Sequence, residues 1–231
     1  MKHKKKAGIF ATAFWFVAMQ LLLIGSTAAD EASVNQTFSF RLLLSGKKSQ
    51  IAIWLTDEKG KFVDTVYVTR KTAQKGLGNR GGSLDDKWGG SRLSTLPVWA
   101  YSQGKDYGNG NPYPSKDQPL PDAITSATPK AGEFVWSWNP QQRLTNGKYF
   151  YYIEVNESFD QNDRHDYSWY RGQPSVVWRG SIIVGNEANE SGAQIVGHGH
   201  VEGQNGQIYS DVSSLTTALS LIEKVTARYQ P

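Results

Sequence analysis

Alternating apolar and polar residues along the chain predict β-strands with one buried face. Within 38–44, Phe38 and Phe40 begin a run of apolar residues at every second position. A second run at 50–56 leads through a turn containing Gly60 into 62–70, which predicts a β-hairpin. Further strands are predicted at 133–138, 149–156, 167–170 and 175–184.

These runs favour an all-β fold, specifically an immunoglobulin-like antiparallel β-sandwich. About seven short strands linked by hairpins are typical of such a domain. No helical pattern separates successive strands, as a parallel sheet would require. The sandwich domain is expected over residues 30–185.

A long stretch between the third and fourth strands, about 71–131, does not alternate. It is rich in Gly and Pro, and such a long loop is usually functional or disordered. Disordered segments are poor in aromatic residues. This one contains Trp88, Trp99, Tyr101, Tyr107 and Tyr113. We therefore expect an ordered aromatic and Gly-rich insertion that packs over the sandwich.

The tail, residues 186–231, has a different pattern. Residues 186–207 are polar and rich in Gly and Asn, which indicates a linker. From 211 to 229 apolar residues recur at intervals of three and four, which predicts a C-terminal amphipathic α-helix. The apolar positions are Val212, Leu215, Leu219, Ile222 and Val225. The predicted helix docks either on its own sandwich or on a partner.

Residues 1–29 have the features of a signal peptide. Four lysines precede an apolar run, and small residues ending in Ala28 and Ala29 follow it. Cleavage after either alanine is expected to give an exported, periplasmic protein. An uncleaved leader would instead tether the same exported domain to the membrane, because the run is nearly long enough to span a bilayer.

Charge and cysteine content exclude several functions. The leader holds four of the 25 Lys and Arg and none of the 21 Asp and Glu, so 21 of each remain and the formal net charge is zero. No basic surface for nucleic acid is therefore predicted. The absence of cysteine excludes disulfides, thiolate metal sites, c-type haem and cysteine nucleophiles.

No catalytic constellation is recognised in the sequence, so no enzyme activity is predicted. Two weaker binding features remain open. The segment Gly197-His198-Gly199-His200 places two imidazoles on one side of an extended chain and predicts either a Zn or Cu site or a solvated loop. Exposed aromatic residues in the insertion suggest a carbohydrate- or envelope-binding surface formed by Trp88, Trp99 and Tyr101.

The heptapeptide Asp122-Ala-Ile-Thr125-Ser126-Ala127-Thr128 carries the most specific chemistry. It resembles the Asp-x-x-Ser/Thr-Gly-Ala-Thr motif that periplasmic flavin transferases recognise, with Ser126 in place of the usual Gly. The resemblance implies covalent FMN on the hydroxyl of Thr128. The alternative is a polar loop that ends at Thr128, which the following proline holds in an extended conformation.

Several sequence blocks together resemble the predicted periplasmic family called domain of unknown function 2271. The blocks are 51–66, 96–99, 122–129, 136–138, 147–149, 154–156, 158–160 and 172–175. The resemblance covers about residues 36–185 and implies an exported immunoglobulin-like domain, often encoded beside flavin transferases and membrane redox proteins. We therefore predict an accessory protein of a periplasmic redox system, with a flavin transferase and a membrane redox protein as partners.

Overall fold

A computed structural model describes residues 36–45, 48–76, 92–166 and 172–231. These residues belong to one compact unit. Its strands are β1 Thr37–Leu44, β2 Gln50–Asp57, β3 Phe62–Thr69, β4 Thr125–Ser126, β5 Gly132–Trp138, β6 Gly147–Asn156, β7 Val176–Val184, β8 Asn189–His198 and β9 Ile222–Gln230. Its helices are α1 Arg70–Lys75 and α2 Pro97–Ser102, with 3-10 turns at Asp122–Ile124 and Thr217–Ser220.

The nine strands form one hydrogen-bonded sheet in the order β4-β3-β2-β6-β7-β8-β9-β1-β5. All neighbours are antiparallel except β3 and β4. The long strand β8 joins the two halves, because residues 193–198 pair with β7 and residues 189–192 pair with β9. The all-β class is confirmed. The immunoglobulin-like sandwich is not, because the sheet is continuous through β8 whereas a sandwich has two separate sheets.

The main core lies inside the curl of this sheet. Alternation places every second side chain of β1, β2 and β6 on the inner face, where burial of apolar surface drives folding. Strand β7, next to β6, and strand β9, next to β1, add further buried side chains to this core. Its largest completely buried members are Tyr67, Tyr151, Tyr229, Phe38 and Phe40.

A second apolar cluster lies on the outer face of the sheet. Residues 92–120, here called the covering segment, pack over β2, β3 and β7. Trp99 and Tyr113 of this segment are completely buried, and their ring centroids lie 6.1 Å apart. Trp54 projects from the sheet into the same cluster. Part of the predicted insertion is thus ordered by its aromatic side chains.

The predicted strands at 38–44, 50–56, 62–70, 133–138, 149–156 and 175–184 correspond to β1, β2, β3, β5, β6 and β7. The hairpin between β2 and β3 also forms as predicted. Gly60 has φ of 82° in its turn, a conformation that side chains disfavour. Asp57 fixes the turn by accepting hydrogen bonds at Oδ1 from the backbone N–H groups of Lys59 and Lys61, at 2.9 and 2.8 Å.

The predicted C-terminal helix is wrong. The segment forms a 3-10 turn followed by β9, which pairs with both β1 and β8. A β-bulge explains the misleading spacing, since Lys224 pairs with Leu43 while Ile222 pairs with Leu44. The extra residue lets Ile222 and Val225 face the core together although they are three apart in sequence.

The predicted linker at 186–207 is also corrected in part, because Asn189–His198 forms β8. This strand is polar because alternate side chains in its first half are exposed to solvent. The signal peptide at 1–29, the predicted strand at 167–170 and Trp88 lie outside the described residues. None of the helices in the described part of the chain is long and apolar enough to cross a membrane.

Candidate functional site

The heptapeptide 122–128 lies at one edge of the sheet. Its first residues form a 3-10 turn, and Thr125–Ser126 then form β4, which pairs in parallel with residues 68 and 69 of β3. Asp122 and Ala127 are exposed, Thr128 is half-buried and Thr125 is buried. Edge strands are accessible to a second protein. The fold therefore presents this segment at an accessible position, with its middle residues Thr125 and Ser126 fixed by pairing with β3.

A buried polar cluster lies beneath Thr128. The amide nitrogen of Gln50 donates a long hydrogen bond of 3.5 Å to the Thr128 hydroxyl. The amide oxygen of Gln50 accepts hydrogen bonds from the hydroxyls of Thr69 and Thr72, at 2.8 and 2.9 Å. All three are completely buried. Because buried polar groups are costly unless paired, this network fixes the orientation of Gln50, whose amide nitrogen therefore points toward Thr128.

Ser126 is held by a second contact. Its Oγ lies 3.1 Å from the hydroxyl of Tyr67, and it also donates to the carbonyl oxygen of Ala127 at 3.0 Å. Burial raises the pKa of Tyr67 to about 12, so this phenol stays neutral at ordinary pH. Thr125 donates to the carbonyl of Asp122 at 3.4 Å. The five predicted residues therefore lie together, in the 3-10 turn and edge strand of this segment and directly after them.

This arrangement can receive a group but does not activate its own hydroxyl. Within the described residues, Thr128 makes the single hydrogen bond to neutral Gln50 and none to an ionisable side chain. A general base would have to lie within hydrogen-bonding distance of the hydroxyl. Ala127 is exposed and Thr128 is half-buried, so solvent reaches this end of the segment.

The two histidines of the predicted metal site lie around Tyr209. The ring of His198 stacks on Tyr209 at 5.5 Å, and that of His200 lies tilted at 5.8 Å. Nδ1 of His198 donates to the carbonyl of Gly199 at 2.7 Å, and Nδ1 of His200 accepts from the backbone N–H of Glu202 at 3.1 Å. No group of three or more metal-ligating residues occurs in the described parts of the chain. Metal binding stays a prediction.

The glycine between these histidines has a packing role. A Cβ atom on Gly199 would lie 2.5 Å from Oγ of Ser175 and 2.7 Å from the ring of Pro97. A larger residue would collide with Ser175, which directly precedes β7, and with Pro97 of the covering segment. The chain can therefore pass here only with glycine. The Gly-His-Gly spacing has a structural explanation that needs no metal.

The predicted aromatic ligand surface is not exposed at Trp99. This side chain is completely buried and donates from Nε1 to Thr65 Oγ1 at 3.1 Å. A sugar-binding ring must offer an open face, which Trp99 does not. Tyr101 is half-buried, and Trp88 lies outside the described residues.

Sequence reasoning missed Glu154, a completely buried carboxyl on the outer face of β6. It accepts hydrogen bonds from the backbone N–H groups of Val98 and Trp99, at 3.2 and 2.8 Å, and from the Ser175 hydroxyl at 2.5 Å. Burial raises its pKa to about 7, although these hydrogen bonds act in the opposite direction. Alternation in β6 predicts an exposed Glu154, since nothing in the sequence shows that the covering segment closes over it.

Another polar cluster joins the loop after β6 to the tail. Asp160 accepts from the side chains of Gln173 and Thr217, at 3.1 and 2.5 Å. Nε2 of His165 lies 3.1 Å from Oγ of Ser214, but its buried Nδ1 has no hydrogen-bond partner among the described residues. A catalytic triad needs a carboxylate at that nitrogen. The described side chains of this cluster connect the loop after β6 to the tail.

A comparison with protein-family models shows the family of this chain. A family model described as "Predicted periplasmic protein (DUF2271)" matches residues 34–168. The chain belongs to this family. The match covers more than half of the 231 residues and includes the heptapeptide and Glu154. The resemblance seen in the sequence is thereby confirmed.

Membership of the DUF2271 family supports the predicted location, and the protein is periplasmic. The match ends before β7, so the sequence block at 172–175 and the last three strands lie beyond it. No curated protein and no solved structure matches the chain.

Proposed function

We propose that this protein is an accessory component of a periplasmic redox system and carries FMN covalently on Thr128. The position of the heptapeptide supports this proposal. The heptapeptide that resembles a flavin-transferase motif lies on an accessible sheet edge, where the half-buried Thr128 hydroxyl has a single long hydrogen bond among the described residues. A bound FMN would accept and donate electrons.

The protein's own residues would position the acceptor. In the transfer, the Thr128 oxygen would form a phosphoester bond to the FMN phosphorus and its proton would pass to the transferase. The phosphoanhydride bond of the flavin dinucleotide would break, and AMP would leave. Gln50 donates a hydrogen bond to the hydroxyl, while the pairing of Thr125 and Ser126 with β3 holds the backbone. Because Thr128 has no ionisable hydrogen-bond partner in the described residues, the base comes from the transferase.

Covalent flavin on this edge would face a partner in the periplasm. Electron transfer requires the flavin to approach the partner's redox centre, and an edge segment allows a closer approach than the covered outer face does. A membrane redox protein is therefore the proposed partner, and the flavin transferase acts once on the newly exported chain.

The test is co-expression of the exported chain with a periplasmic flavin transferase, followed by intact mass measurement. We expect the wild-type protein to gain the mass of one FMN less one water. Thr128→Ala should abolish the gain, whereas Ser220→Ala, which removes an exposed hydroxyl elsewhere, should leave it unchanged.

Ser126→Gly makes this test sharper because it restores the residue usual in the motif. The modified fraction should rise, since glycine gives the backbone more freedom to enter a transferase active site. The flavin proposal is wrong if neither the wild type nor Ser126→Gly is modified, or if Thr128→Ala keeps the added mass.

A further inference from the structure

An open pocket lies on the outer face of the sheet beside the covering segment. The register places four outward side chains in a row across β2, β6, β7 and β8, namely Trp54, Tyr152, Arg179 and Gln194. Trp54 is buried under the covering segment and is 1% exposed, whereas Arg179 is half-buried. A cavity of about 470 Å³ opens where the cover ends. This volume is typical of small-molecule sites.

The change of partner by β8 creates the concavity. Gly192 is the last residue of β8 that pairs with β9, and Ala193 is the first that pairs with β7. At Gly192 no side chain fills the space. Phe150 and Val196 add apolar surface, and Ser181 adds a hydroxyl.

Arg179 supplies the chemistry of the pocket. Its guanidinium carbon lies 3.8 Å from the ring centroid of Phe150 and 5.6 Å from that of Tyr152. The ammonium of Lys148 lies 5.1 Å from the Phe150 ring as well. Such cation–π contacts hold the guanidinium by its flat face and leave its two terminal Nη groups able to donate in its plane. Two positive charges therefore converge on one aromatic ring.

Neither Lys148 nor Arg179 forms an ion pair within the described parts of the chain. The ion pair found there joins Arg41 to Glu133 on another part of the sheet. Nε of Arg179 is buried and has no hydrogen-bond partner among the described residues. A buried donor without a partner is costly, and the cost is removed when an acceptor binds. A ligand that suits this pocket should therefore be negatively charged and carry two or more acceptor atoms.

We propose that this pocket binds a small organic anion through its carboxylate or phosphate group. The planar guanidinium edge of Arg179 donates parallel hydrogen bonds to two oxygens of the anion. Ser181 and Gln194 offer further polar contacts, while the apolar body of the ligand packs against Phe150 and Val196. This site is separate from the Thr128 hydroxyl and does not depend on flavin attachment.

Calorimetric titration of the purified exported protein tests the proposal, with phenyl phosphate, benzoate, inorganic phosphate and neutral benzamide at constant ionic strength. We expect saturable binding of phenyl phosphate, benzoate or both, weaker binding of inorganic phosphate, and none of benzamide. The tighter of the two aromatic anions identifies the preferred head group. Arg179→Gln should weaken that binding by about tenfold or more, because hydrogen bonds to charged groups are lost.

Arg228→Gln is the matched control, because it removes an exposed positive charge from β9 and should leave the affinity unchanged. Two further readouts test the proposal even if Arg179→Gln does not fold. The side-chain Nε–H resonance of Arg179 should shift on binding, and Phe150→Leu should weaken binding several-fold. The proposal is overturned if neither aromatic anion binds saturably, if Arg179→Gln binds as the wild type does, or if Arg228→Gln weakens binding equally.

Discussion

At the scale of single residues, burial changes what a side chain can do. Glu154 lies in a strand where alternation predicts solvent exposure, yet the covering segment and Gly199 enclose it completely. Its carboxyl joins β6 to the start of α2 and to Ser175. A buried carboxyl with a pKa near neutrality often indicates a catalytic acid or base. Here no solvent reaches it, so we interpret it as the group that attaches the covering segment to the sheet.

Glu154 should make stability depend on pH. Its pKa is about 7 in the folded protein and has an ordinary value of 4.5. Between these values the folded state retains a proton that the unfolded chain has lost, so the free energy of unfolding falls as pH rises. The fall should be about 3 kcal/mol, at about 1.4 kcal/mol for each pKa unit. Above pH 7 this contribution becomes constant.

Urea unfolding of the wild type and Glu154→Gln from pH 4 to 8 measures this dependence. The variant should be less stable, because its amide cannot accept all three hydrogen bonds, and it should also lose the fall in stability between pH 4.5 and 7. Glu190→Gln removes an exposed carboxyl and serves as the control. An unchanged pH profile in Glu154→Gln would contradict the assignment.

At the scale of secondary-structure elements, β9 shows how a bulge can imitate a helix. Ile222 and Val225 are three apart and both buried, after which Ala227 and Tyr229 continue the alternation of a strand. Tertiary pairing decides the outcome, since β9 forms ladders with β1 on one side and β8 on the other. Local spacing contains no information about either partner.

Ala227→Glu distinguishes the strand from the predicted helix. In β9 this side chain is 1% exposed, so a carboxylate there should destabilise the protein by about 3 kcal/mol or more. On the predicted helix, residue 227 would share the polar face with Lys224 and Arg228, and the change would be nearly neutral. Urea unfolding gives the difference. The exposed control Lys224→Glu should change stability by about 1 kcal/mol or less.

At the scale of the whole molecule, the tail completes the fold. β8 and β9 connect the β2–β6–β7 half of the sheet to the β1–β5 half, although both strands lie beyond the family match. Both also close the inner core, to which β9 contributes Val225, Ala227 and Tyr229. The segment that the sequence pattern treats as an appendage is therefore central to the sheet.

Deletion of residues 222–231 should prevent folding. The deletion exposes the inner core and leaves β1 and β8 with unpaired edges, which favours aggregation. Circular dichroism and urea unfolding should show no cooperative transition. A shorter deletion of Gln230 and Pro231, which are exposed, should retain the wild-type transition. Cooperative unfolding of the longer deletion would show that β9 is dispensable.

Local alternation was enough to predict the strands whose two faces differ clearly, such as β1, β2 and β6, and the Gly60 hairpin between β2 and β3. The sequence also indicated the export signal, the family and the heptapeptide, because these are local patterns of residues. Three-dimensional contacts were needed to establish the continuous sheet, the strand character of β9, the burial of Glu154 and the pocket at Arg179. Each of these depends on contacts between residues far apart in the chain, and local periodicity contains no record of such contacts.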